Sequence, residues 1–359
     1  MTTYIRTALI LLKASKNLDI LATPKRTGGF SDDLPSWVPD WSDTGPYAQV
    51  LFDRFSDSSE IFKATAGSQL DSTLDIGRDD VTKAVNGRLL LRGYIVDYVK
   101  TLRQQLEYDE KNMDFLEYGK AARALYEQIK AFDKSNASSH TMAEFRNATT
   151  NFADKVRRII RASKRFADNV ENWRALALEN EDEPYLTGEN KMKVFKRTLA
   201  GGVCGGVYQH GWEVMESSFD QWWEQMGTWK LFIEDLSKNL PENPKDLGEL
   251  LPWFRSVLGM YQSNSYLGLF QRRGSIMKNH DVLQKALFRK LGKMEKGYLG
   301  LLPGECKEGD SVVLLKGGKT PYIVRQRDEG WQFVGDCYIH GMMNGEAWDE
   351  LKCHDMAIY

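Results

Sequence analysis

RLLLRGYIVDYV, residues 88–99, decides how the chain divides. It is crowded with Leu, Ile, Val and Tyr and follows the turn signal Asn86-Gly87, so it reads as a β-strand. Working back from it, residues 73–101 and 48–66 read as strand-rich, and NLDIL (17–21) as a short strand. TTYIRTALILLKAS (2–15) reads instead as an amphipathic helix capped by Thr2 or Thr3. Residues 1–101 are therefore expected to form a β-rich N-terminal part.

Beyond Leu102 the period changes. Phe115, Tyr118, Ala122, Leu125, Ile129 and Phe132 recur by three and four, the mark of a helix with one apolar face. SNASSH (135–140) breaks it, and a second helical stretch follows over 141–180, carrying the basic run KVRRIIRASKRF (155–166). EDEPYLTGEN (181–190) reads as a loop and KMKVFKRTLA (191–200) as a short helix. GGVCGG (201–206) lacks the Lys-Ser/Thr of a phosphate loop, so its glycines read as a sharp, closely packed turn. Residues 211–237 and 249–291 read as helical, rich in Trp, Phe and Tyr. The alternation returns in GDSVVLLKGGKTPYIVRQRDEGWQFVGDCYIHG (309–341), read as three strands with turns at Gly317-Gly318 and Asp328-Glu329-Gly330.

The fold expected is α+β: a small β-sheet or barrel from the N- and C-terminal thirds, with a large helical block inserted between them. In residues the division is 1–101, 102–291 and 292–359, the middle part a ligand-enclosing helical block and the three together one compact unit.

Composition narrows the function. The 359 residues are 42% apolar and 27% charged, an ordinary globular balance. The net charge of −2 argues against a nucleic-acid partner. No stretch reaches the length of a membrane span, and Cys204, Cys306, Cys337 and Cys353 form no CxxC pair. They read as reduced thiols, and the chain as a cytoplasmic protein. GxSxG, HExxH, Walker and GxGxxG patterns are missing, so no cofactor and no metal are expected. A Cys337–His340 dyad is disfavoured, because i, i+3 on a strand places the two side chains on opposite faces.

The candidate site residues come from the aromatic and polar remainder. YQHGW (208–212) puts Tyr208, His210 and Trp212 at a helix entrance, where His210 would hold or offer a hydrogen bond. FQRRG (270–274) offers Arg272 to a carboxylate. Tyr208, His210 and Arg272 are the catalytic candidates. Trp222, Trp253, Tyr338, His340 and Met342, together with Trp212, are the ligand-binding candidates, the last three of the C-terminal group coming from YIHGMMNGEAW (338–348). Each has a plain structural alternative: a histidine satisfied near a turn, a surface arginine, or core aromatics.

One more stretch stands out. LPSWVPDWS (34–42) holds two tryptophans and two prolines. It is expected as a stiff extended segment at a sheet edge, with Trp37 and Trp41 facing one side and covering the core.

LPSWVPDWS, KATAGS (63–68), LLLRGYIVDYV (89–99), FKRTLAGG (195–202), GYLGLLP (297–303), GDSVVLLKGGKTPYIVR (309–325) and FVGDCYIHGMMNGEAWDE (333–350) together resemble the fungal heterokaryon incompatibility (HET) family. The matching stretches follow in order over nearly the whole chain. In that family a TIR-like signalling domain precedes the tryptophan–proline segment. The resemblance implies that this chain is the family's C-terminal region without that domain, and it transfers no catalytic residue. The functional expectation is a cofactor-independent cyclase of Diels–Alder type, acting on an apolar terpenoid or polyketide precursor by preorganisation and hydrogen bonding to a conjugated carbonyl. The alternative is a non-enzymatic HET-like recognition module in self/non-self response. A homodimer or a protein partner remains open.

Overall fold

The computed structural model describes residues 2–22, 34–42, 62–70, 88–107, 139–202, 211–238, 281–327 and 330–359, with isolated positions elsewhere. The fold is α+β, with helices in the middle of the chain and a mixed sheet of eight strands. The helices are α1 (Thr2–Ser15), α2 (Ser139–Ala177), α3 (Lys191–Leu199) and α4 (Gly211–Lys238). The strands are β1 (Leu89–Leu102), β2 (Arg289–Met294), β3 (Leu299–Pro303), β4 (Ser311–Leu315), β5 (Tyr322–Arg327), β6 (Gly330–Asp336), β7 (Tyr338–Ile339) and β8 (His354–Ile358). The expected helices at 109–133 and over most of 249–291, and the strands at 73–87, fall largely outside the described residues.

β1 is the strand on which the sheet is assembled. Leu89–Gly93 pair antiparallel with β8, Gly93–Tyr98 with β4, and Val99–Leu102 with β2. Register shifts between Ile95 and Asp97 and between Val99 and Thr101 bend the strand from one partner to the next. Gly93 sits where β8 hands over to β4, and a methyl group there would overlap the Leu314 carbonyl oxygen. From β4 the pairing runs through β5, β6 and β8 back to β1. The ring is closed between β6 and β8 by one parallel pair, Trp331 opposite Ile358, so it is an incomplete barrel. β2, β3 and β7 extend from the other end of β1.

Alternation along these strands feeds two cores. Leu89, Leu91, Val313, Leu315, Tyr322, Val324, Phe333, Met356 and Ile358 face one of them. Ala8 and Leu12 of α1 cover that face, together with Trp37. Tyr94, Val96, Val312, Leu314, Ile323 and Val334 face the other, with Cys306, Cys337, Ile339 and Met342. Each such side chain contributes about 1.5–3 kcal/mol by leaving water. Sheet faces buried on both sides explain why β4, SVVLL, carries four apolar residues in a row after Ser311.

Three local expectations are corrected. NLDIL is not a strand: Asp19–Ala22 form a 3₁₀ turn, and the Asn17 side chain accepts from the Asp19 N–H at 3.0 Å. That local bond offers the backbone an alternative to sheet pairing. The segment still lies against the C-terminal part, through Leu18 N–H to Gly317 O (3.3 Å) and Lys319 to Asp19 (2.7 Å). The helix expected through residue 291 gives way to β2 at Arg289, because the residue pairing of β2 with β3 overrides the local pattern. Residues 34–42 are a turn and not an extended strand: Val38 N–H donates to Pro35 O at 2.9 Å. Trp37 is fully buried, whereas Trp41 is 39% exposed and meets Tyr4 edge to face at 5.4 Å. The turn sends the two indoles apart.

The described chain falls into two compact units. One comprises residues 1–106, 171–216 and 281–359 and holds the sheet. The other comprises 107–170 and 217–280 and is helical where it is described. In the helical unit α2 buries Phe152, Val156, Ile159 and Phe166, and α4 buries Phe219, Trp222, Phe232 and Leu236, each at helical spacing. No helix among the described residues is long and apolar enough to cross a membrane.

Candidate functional site

In the sheet unit, the polar groups around β7 converge on His340. Tyr338 opens β7 and His340 begins the turn that follows it, where the two side chains meet. Tyr338 Oη lies 2.8 Å from His340 Nδ1, and Glu189 Oε2 lies 2.6 Å from Nε2. Glu189 also accepts from Thr187 Oγ1 at 2.7 Å and from Arg197 Nη1 at 2.8 Å. The acceptor-only carboxylate at Nε2 receives the ring's N–H there, and the Tyr338 hydroxyl meets the other ring nitrogen.

The sequence builds this arrangement from short local elements. Tyr185 N–H donates to Glu189 O (2.9 Å) and Gly188 N–H to Tyr185 O (2.8 Å), closing the loop before α3. Asn190 then caps α3, accepting from Met192 N (2.9 Å) and Lys193 N (3.2 Å), which fixes Glu189 one residue outside the helix. Arg197, on α3, reaches back to the same carboxylate. Tyr185 Oη accepts from Leu299 N at 2.8 Å and donates to His340 O at 3.1 Å, tying the loop to β3 and β7. Its ring meets the His340 ring edge-on at 5.5 Å. At the far end of α3, Gly202 has φ +72°, and a Cβ there would run into the Tyr338 ring. The first two glycines of GGVCGG thus serve a tight turn and a close approach.

Electrostatics describe a held network rather than a reactive one. Burial alone would raise the Glu189 carboxyl, but the hydrogen bonds of His340 and Thr187, and the charges of His340 and Arg197, outweigh it and hold the group below the usual carboxylate range. Burial pushes the Tyr338 and Tyr185 hydroxyls well up, so both stay protonated donors. His340 and Tyr338 are buried, and Glu189 is the accessible end.

Of the candidates read from sequence, Tyr338 and His340 come together here. Met342 is buried in the core on the second sheet face, apart from this network. Trp222 lies in the helical unit beside Phe219 (5.4 Å) and Trp223 (5.9 Å), and Trp253 lies there beside Phe152 (6.2 Å). Both indoles are buried, and neither N–H meets an acceptor among the described residues. Trp212 falls in the first turn of α4, while Tyr208, His210 and Arg272 lie outside the described residues.

Sequence reasoning missed Glu189, Arg197 and Tyr185, whose only local signal is the Asn190 cap that follows the loop. It also missed two ion pairs, one joining β2 to β6 and one joining β5 to the residue before β4. Arg289 Nη2 meets Asp336 Oδ1 at 2.8 Å with both side chains almost wholly buried, and Arg289 Nη1 donates to Asp336 O at 2.8 Å. Arg325 grips Asp310 with a fork at 2.7 and 2.8 Å. Burial pushes the Cys306 and Cys337 thiols up, which leaves them inert at neutral pH. Among the described residues no cluster of His, Cys, Asp and Glu could hold a metal ion.

Residues 271–358, which contain β2 to β8, match the Het-6 beta-barrel domain family. A Neurospora crassa protein, "Heterokaryon incompatibility protein 6, OR allele", is 38% identical over 65 residues, which is 17% of this chain and 10% of that protein. The chain therefore matches about a tenth of that relative's length. No solved structure matches it.

Proposed function

We propose that this chain is a non-enzymatic recognition module of the heterokaryon incompatibility type, working in fungal self/non-self response. The observation that carries the reading is the Het-6 barrel match over residues 271–358, joined by the 38% identical segment of an incompatibility protein. The geometry agrees with it. The polar networks described above hold strands and loops together: His340 between Tyr338 and Glu189, Arg289 on Asp336, Arg325 on Asp310. The cyclase expected from sequence receives no support from the comparisons and gives way to this alternative. The test is to express the chain in one of two otherwise compatible fungal strains and score heterokaryon formation. A changed compatibility supports the reading; unchanged compatibility with the intact protein accumulating overturns it.

A second reading has one observation in its favour. A buried indole N–H without an acceptor costs about 1–3 kcal/mol, and among the described residues Trp222 and Trp253 both carry one. A small apolar molecule with carbonyl oxygens, held in the helical unit, would supply the acceptors. Native mass spectrometry of protein isolated from a fungal host reads this directly: a bound small molecule supports it, and a bare chain that ignores carbonyl-bearing terpenoids and polyketides sinks it.

A further inference from the structure

The basic run of α2 is the feature of the helical unit that neither reading uses. Phe152, Val156, Ile159, Phe166 and Val170 are buried at spacings of three, four and seven and turn this stretch of helix into the core. Arg158, Arg161 and Arg165 lie on the opposite side, all exposed. Arg161 is the extreme case: its helical neighbours at i−4, i−3, i+3 and i+4 are Arg157, Arg158, Lys164 and Arg165. Like charges at these spacings oppose helix formation, and a face that serves solubility alone mixes both signs. The nearest carboxylates leave the ridge unpaired: Asp168, exposed at i+3 from Arg165, makes no ion pair with it, and Asp154 is engaged by its neighbour. Asp154 pairs with Arg157 at 2.9 Å, and Lys164 reaches Ser237 Oγ at 3.4 Å. Arg158, Arg161 and Arg165 make no ion pair or hydrogen bond with any described residue.

We propose that the Arg158–Arg161–Arg165 ridge of α2 docks an acidic helical segment of a protein partner. Charge complementarity selects the occupant. At a rise of about 1.5 Å per residue the ridge is roughly 10 Å long. Carboxylates at i, i+3 and i+7 of a partner helix repeat the same rise, and the guanidinium fork suits a carboxylate. A duplex is disfavoured because its recognition calls for a net cationic field, whereas this chain has net charge −2. A bilayer is disfavoured because the apolar side of α2 is buried in its own unit and has nothing to insert. The proposal deepens the recognition reading by naming the partner's chemistry, yet the binding assay can fail while an effect on compatibility persists.

The test uses the full chain and a fluorescent alanine-based helical peptide with glutamates at i, i+3 and i+7, read by anisotropy. Controls are a scrambled peptide of the same composition, duplex DNA, and phosphatidylserine-containing vesicles. The ordered peptide is expected to bind more tightly than every control and to weaken as salt rises. Replacing Arg158, Arg161 and Arg165 together by Gln should weaken it by about tenfold with the circular dichroism spectrum unchanged. Arg161→Glu should lose binding, and a peptide whose central glutamate is replaced by lysine should restore it. Equal binding of the scrambled peptide, indifference to the triple substitution, no rescue by the swapped pair, or tighter binding to DNA or vesicles would each overturn the proposal.

Discussion

Trp37 and Trp41 look interchangeable in LPSWVPDWS, and their environments are opposite. Trp37 has no exposed surface, so Trp37→Ala should cost about 3–5 kcal/mol, whereas Trp41, 39% exposed, should cost far less. Chemical denaturation of the two variants checks the contrast, and equal losses would contradict the turn that separates them. Ser36 shows why the turn is there. Its N–H donates to Tyr359 O at 2.8 Å, its hydroxyl contacts the same oxygen, and Phe333 N–H donates to Ser36 Oγ at 2.7 Å. Ser36 and the turn thus tie the segment to β6 and to the last residue of the chain. Proline and tryptophan content revealed stiffness and burial; it carried no information about a partner about 300 residues away. Glu189 invites a pH experiment. Its folded carboxyl lies below the ordinary value, so its stabilisation is complete above the unfolded value and is lost as pH falls through that range to the folded one. Glu189→Gln should therefore be less stable than the parent near neutral pH and close the gap under acid, read as melting temperature against pH.

At the scale of elements, periodicity made α1, α2, α3, α4, β1, β4, β5 and β6 legible. α1 was read at its observed limits because its buried positions Ile5, Ala8, Leu9 and Leu12 follow the helical repeat. β2 was illegible because RKLGKM neither alternates cleanly nor forms an apolar run; its strand state comes from β1 and β3 on its two edges. The Glu189–His340 bridge was illegible for a similar reason, since its halves lie 151 residues apart. Only Tyr338 and His340, two apart in the sequence, could be read as neighbours. Gly93 tests β1 as the assembly strand. Gly93→Ala would push a methyl group into the Leu314 carbonyl and separate β1 from β4. The soluble, cooperatively melting fraction should fall sharply, while Gly227→Ala, where an added methyl meets nothing, should be neutral or slightly stabilising.

At the scale of the molecule, the segment with the family match is not the whole of the sheet. Residues 271–358 hold seven strands but not β1, which pairs with β2, β4 and β8. Expressed alone, that segment should fail to give a cooperative melt. Co-expression with residues 1–106, which bring β1, α1 and Trp37, should improve its solubility. A segment that folds fully on its own would show that β1 is dispensable. The order in which the chain is made also matters. β1 leaves the ribosome about 190 residues ahead of β2, its earliest partner. At synthesis rates of roughly 5–20 residues per second this is about 10–40 s. Throughout that interval LLLRGYIVDYV is an apolar strand with both edges open, able to pair with any similar strand it meets. The cell must therefore shield it, and the yield of folded protein should depend on chaperones that bind nascent chains more than on the stability of the finished sheet.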